Sequence, residues 1–102
     1  GSARIVDGKV PWWLRSDMDG ITLGNNIYFR EGVYVPGTAG GVKLLGHELV
    51  HVQQYSDGMT YLGYIWESRG GYRNNPYEIR AYAWGAQIPS GFCAGNSQAV
   101  GC

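Results

Sequence analysis

The spacing of apolar and polar positions changes period along the chain. Ile21-Thr22-Leu23 and Ile27-Tyr28-Phe29 alternate at short period on either side of Gly24-Asn25-Asn26, the pattern of two strands joined by a tight turn. Asp19-Gly20 and Pro36-Gly37 punctuate the two ends, and residues 3–35 as a whole read as strands and turns. After Pro36-Gly37 the period lengthens. Val42, Leu45, Leu49 and Val52 stand at i, i+3, i+7 and i+10, one apolar stripe on a helix. Thr38 suits an N-cap and Asp57-Gly58 a stop, so the spacing predicts a helix running to Ser56. At about 100° per residue, His47, His51, Gln54 and Tyr55 fall on the side away from the stripe.

Met59 to Trp66 reads as a short aromatic helix or turn, broken by Gly70-Gly71. A further helix starts at Asn75-Pro76, where Asn caps and Pro occupies the first turn, and is expected to reach about Gln87, ahead of Pro89. Glu78, Ala81, Tyr82 and Gly85 share one face of it, and Ala81 and Gly85 are small enough to admit another helix closely. The remaining tail reads as irregular. Strands followed by helices make the fold class α+β.

At 102 residues the chain makes one domain, residues 1–102. Forty-four per cent of residues are apolar and sixteen per cent charged, a balance that supports a core and not disorder. Eight basic residues cancel eight acidic ones without clustering, so neither nucleic acid nor an anionic membrane is an expected partner. No apolar run has the roughly 18 residues needed to cross a bilayer. Cys93 and Cys102 are close in a Gly/Ser/Ala-rich tail; their pairing is expected, and with it an extracytoplasmic or secreted setting. Trp12, Trp13, Trp66 and Trp84 read as either core or cleft lining, with the core favoured.

The chemistry concentrates in His47-Glu48-Leu49-Val50-His51, an H-E-x-x-H run. Side chains at i and i+4 are neighbours on a helix, so both imidazoles can reach one zinc ion. Glu48 lies beside the pair, placed to take a proton from a water in the open metal position. The chain has only two histidines, and both are in the motif. A zinc site of this kind needs a third protein ligand. Asp57 lies six residues after His51, but a helix continuing through Gln54 turns it about 120° away from His51, where it belongs to the terminating turn. Glu78 is the stronger candidate, on the small-residue face of another helix. Asn75-x-x-Glu78 is also a capping-box spacing, in which the carboxylate would return to the Asn75 backbone.

His47-Glu-x-x-His51 followed by Asn75-Pro-Tyr-Glu78-x-x-Ala81 resembles the gluzincin pattern, the thermolysin-type H-E-x-x-H with a downstream glutamate helix. Ile21-Thr-Leu-Gly-Asn-Asn-Ile-Tyr-Phe29, Gly37-Thr38 and Leu44-Leu-Gly-His-Glu-Leu-Val-His-Val-Gln-Gln54 are similar to a small bacterial metallopeptidase-type domain. That domain also occurs in proteins linked to extracellular contractile injection systems. The resemblance spans about residues 19–85, and the size is similar to that of minigluzincins. It implies a minimal zincin-like fold and a zinc metalloendopeptidase acting on a peptide or protein substrate. One zinc would be held by His47, His51 and Glu78, with Glu48 as general base. Thermolysin-like enzymes carry an aspartate four residues after the glutamate ligand; here Tyr82 stands there, so support for the histidines must come from elsewhere, with Asn74, Asn75 and Tyr82 the candidates.

Tyr72, Arg73 and Tyr82 are candidates for stabilising the oxyanion of peptide hydrolysis, Tyr72 being favoured. The strand Ile27–Phe29 could pair with an extended substrate if it edges the cleft. A second reading makes zinc a staple between helices in a binding or assembly module of a secretion or injection system. Glu48 separates the two, because a purely structural site has no use for a carboxylate beside an open metal position.

Overall fold

The computed structural model describes residues 3–96, 98, 99 and 102. Three short strands, β1 (Arg4–Asp7), β2 (Gly20–Leu23) and β3 (Asn26–Phe29), precede the helices α1 (Ala39–Ser56), α2 (Tyr61–Glu67), α3 (Pro76–Gly85) and α4 (Phe92–Gly95). A 3₁₀ turn, Tyr72–Asn74, leads into α3. The α+β class expected from the pattern is the class observed. Among the described residues no helix is long and apolar enough to cross a membrane.

β2 and β3 form the predicted antiparallel hairpin, with Leu23 opposite Asn26. Gly24 supplies the one positive φ of the turn, +62°, as a two-residue type II′ connection requires. β1 then pairs in parallel with the other side of β3, giving the order β1-β3-β2. This corrects one expectation. β3 is hydrogen-bonded on both sides and cannot align a substrate; β2 has the free edge beside α1 among the described strands. The hairpin register puts Thr22 and Gly20 on the same face as Ile27 and Phe29. Ile27 and Phe29 are fully buried, and with Leu45 of α1 they form the core.

α1 starts and stops where predicted. The Thr38 hydroxyl accepts from Gly41 N at 2.9 Å, and Asp57 ends the helix. The burial around it differs from the single predicted stripe: Leu49 is exposed, whereas Glu48 and His51 are buried. The sheet covers one side of α1 and α3 covers another, so the histidine face is enclosed too. Close approach of α3 rests on Ala81, which is fully buried, and on Gly46, over which the Trp84 indole lies so near that a Cβ would overlap it. α3 ends at Gly85, two residues short of expectation, because Gln87 and Ile88 bond back to Trp84 and Gly85 in tight turns. The tail is not wholly irregular, since Phe92–Gly95 makes one helical turn. Cys93 and Cys102 are disulfide-bonded.

The tryptophans are not core residues: Trp12, Trp13, Trp66 and Trp84 are all exposed. A core built on Phe29, Ile27 and Leu45 is too thin to enclose an indole on both faces.

Candidate metal centre

His47 and His51 rise one turn apart on α1 and direct their Nε2 atoms at the same carboxylate oxygen. His47 Nε2 is 2.8 Å from Glu78 Oε1, His51 Nε2 is 2.9 Å from it, and the two ring nitrogens are 3.2 Å apart. Glu78 is buried and reaches across from the first turn of α3. Asn75 does cap that helix, accepting from Tyr77 N at 2.9 Å, but the Glu78 carboxylate turns to the histidines and not back to the cap, which settles the capping-box alternative. Asp57 lies at the end of α1, exposed, and accepts from Gln53; it is not part of the cluster.

The donor set fits a metal ion. His47, His51 and Glu78 are the described residues whose ligand atoms converge in this way. Adjacent ligands in a tetrahedral zinc site with bonds of about 2.0–2.1 Å lie about 3.3 Å apart. The three separations observed, 2.8, 2.9 and 3.2 Å, fall slightly inside that. Two ring nitrogens that face each other and share one acceptor also make poor hydrogen-bond partners, whereas a cation between them satisfies all three atoms.

The electrostatics of these side chains follow from this convergence. Burial opposes ionisation of Glu78, but hydrogen bonds from both histidines, the charge of His51 and a bond from Tyr64 outweigh it and hold the carboxyl well below its usual range. Burial alone would lower His51, yet its bond to Glu78 and the nearby carboxylates raise it. Glu48 moves the other way from Glu78. Its burial dominates and pushes its pKa up despite the two histidines and a bond from Thr22.

The supporting contacts come mostly from residues outside the H-E-x-x-H and Glu78 motifs. Thr22 Oγ1 donates to Glu48 Oε1 at 2.9 Å. Its signal was available in the register: Thr22 is a polar residue on the core-facing side of the hairpin. Gln54 Oε1 is 2.8 Å from His51 Nδ1, and Gln54 stands on the same helix face as the histidines. The Tyr64 hydroxyl donates to Glu78 Oε2, and no pattern in the sequence marks it, because the path of α2 depends on tertiary packing. Of the three expected supports, Tyr82 sets its ring edge against His47, with centroids 4.5 Å apart. Asn74 instead bonds to Gly70 O. Asn75 is fully buried and spends its amide on Tyr64 O and Ser68 Oγ, tying α2 to the start of α3.

Glu48 and Tyr72 stand where two depressions meet. An open cleft of about 1080 Å³ runs past His47, Tyr82 and Arg73, and a smaller cavity of about 290 Å³ lies among Trp13, Tyr61, Tyr64 and Met59. Tyr72 OH is 3.1 Å from Tyr82 OH, so the favoured phenol and its rival form a pair; burial and that bond raise the Tyr72 pKa and keep it a proton donor. Arg73 lines the open cleft.

A family model described as the eCIS core domain matches residues 14–59. The match takes in the hairpin and the whole of α1, and leaves α3 with Glu78 outside. It fits the injection-system part of the resemblance. No curated protein and no solved structure matches the chain.

Proposed function

We propose that the chain is a zinc metallopeptidase of the gluzincin type, hydrolysing peptide bonds in the cleft beside His47. The observation that carries this is Glu48: a buried carboxylate, fixed by Thr22, next to three converging metal-ligand atoms and open to the cleft. His47, His51 and Glu78 would hold the ion, which when bound polarises a carbonyl and acidifies water. Glu48 accepts a proton from the attacking water and passes it to the leaving amine. Its raised pKa suits a base working nearer neutrality than an ordinary carboxylate. The Tyr72–Tyr82 pair offers a phenolic O–H to the developing oxyanion. The free edge of β2, where Gly20 and Thr22 turn backbone groups away from β3, is the strand able to receive an extended peptide. The Cys93–Cys102 bond supports an extracytoplasmic setting.

Glu48→Gln keeps the size of the side chain and removes the base. Hydrolysis of an accepted peptide is expected to fall by roughly 10²- to 10⁴-fold with zinc content preserved. If zinc-loaded wild type, screened against a broad peptide library, cleaves nothing that Glu48→Gln does not, the peptidase reading fails.

The second reading, an assembly module in which zinc staples α1 to α3, draws on the eCIS core domain match over residues 14–59. Under it Glu48→Gln leaves zinc binding and partner assembly unchanged, and removing zinc loosens α3 from α1.

A further inference from the structure

Gln54 bonds at both ends. Its Nε2 donates to the backbone carbonyl of Tyr77 at 3.0 Å, and its Oε1 is 2.8 Å from His51 Nδ1. A carbonyl oxygen can only accept, so the NH₂ end of the amide must face Tyr77 and the oxygen must face the imidazole. That oxygen in turn needs an N–H opposite it, which puts a proton on His51 Nδ1 and leaves Nε2, the atom facing Glu78 and His47, as the metal-binding nitrogen. Tyr77 directly precedes Glu78 in the first turn of α3. One side chain therefore fixes the tautomer of one ligand and the height of the helix turn that delivers another.

We propose that Gln54 is a positioning residue of the metal centre, locking His51 as an Nε2 ligand while anchoring the Glu78 turn to α1. This rests on the metal-site part of the functional reading and not on hydrolysis. The neutral amide does work that a carboxylate could share only in part, because a carboxylate can accept from His51 but cannot donate to Tyr77.

The test is zinc affinity, measured by competition with a chromophoric chelator, in wild type, Gln54→Met, Gln54→Glu and the neighbouring Gln53→Ala. Long-range ¹⁵N–¹H spectra of the zinc-loaded proteins report which His51 nitrogen carries the proton. Gln54→Met is expected to bind zinc about 10- to 100-fold more weakly and to lose the defined Nδ1–H signal. Gln54→Glu restores the acceptor and with it the Nδ1–H signal, but it cannot donate to Tyr77, so its zinc affinity is expected between those of Gln54→Met and wild type. Gln53 contacts only Asp57 by hydrogen bond, and its truncation leaves both readouts unchanged. Gln54→Met binding within about twofold of wild type, a Gln54→Glu without the Nδ1–H signal, or a Gln54→Glu that binds zinc no better than Gln54→Met or as tightly as wild type, overturns the proposal. Wild type that binds no zinc overturns the metal-site reading with it, whereas absent peptidase activity with these affinities intact removes only the catalytic reading.

Discussion

Two of the ligand candidates, Glu78 and His51, have their ionisation set by neighbours. Once the cost of burial is overcome, hydrogen bonds from His47 and His51 lower Glu78, and Glu78 in turn raises His51. The Glu78 contribution to stability is present above the ordinary carboxylate pKa and is lost as pH falls through its depressed folded value. The His51 contribution is present below the ordinary imidazole pKa, about 6.5, and is lost as pH rises through its raised value. Glu48 acts in the opposite sense, since a raised carboxylate costs stability once pH passes the normal carboxylate range. Zinc competes with the His51 proton, so affinity is expected to fall as pH drops from about 8 to about 6; a titration showing no change over that range would mean His51 does not ligate. Glu78→Ala should remove most zinc binding because the third donor is gone, while Asp57→Ala leaves it nearly unchanged. Reversal of these two results would transfer the ligand role to Asp57. Much of this site was legible in the sequence: two histidines at i and i+4 can only share one helix face, and Glu78 sits on the small side of a capped helix. Gln54 and Thr22 were harder to read, since a Gln on a helix and a Thr in a strand are each ordinary until the partner strand and helix are in place.

Elements with local causes are visible in the sequence, and those with distant causes are not. The caps at Thr38 and Asn75 and the Gly24 turn are encoded within a few residues, and the helices and hairpin begin where those residues say. β1 has no such signature: Arg4–Asp7 becomes a strand by pairing with β3, a contact between distant parts of the chain. That pairing is also why β3 lost its predicted edge. The junction of α1 with α3 is the element-level feature on which the site depends. Ala81 is fully buried in α3, and Gly46 leaves room for the Trp84 ring. Ala81→Leu overfills that junction, at a cost of about 1–3 kcal/mol, and pushes Glu78 away from the histidines. Thermal melts and zinc titrations of this variant are expected to show lower stability and weaker binding together. A variant that loses stability but binds zinc as tightly as wild type would show that α3 does not need this seat to deliver Glu78.

The whole molecule is a thin core with a large share of its aromatic surface outside it. Exposed Trp12, Leu62 and Trp66 did not follow from hydropathy, because a chain of 102 residues has too little volume to bury every large side chain. What the fold achieves with that volume is to bring one helix, one hairpin and one further helix together around a single point. Thr22 comes from β2, His47, Glu48 and His51 from α1, and Glu78 from α3, beside an open cleft. The central claim is that this point is a three-ligand zinc centre with an uncoordinated carboxylate beside it. A crystal structure of the zinc-loaded protein, with the ion located by anomalous scattering, tests it most directly. The expected result is one zinc bonded to His47 Nε2, His51 Nε2 and Glu78, with no further protein ligand and with Glu48 outside bonding distance. Zinc bound through Asp57, or a site closed by Glu48 as a fourth ligand, would contradict it.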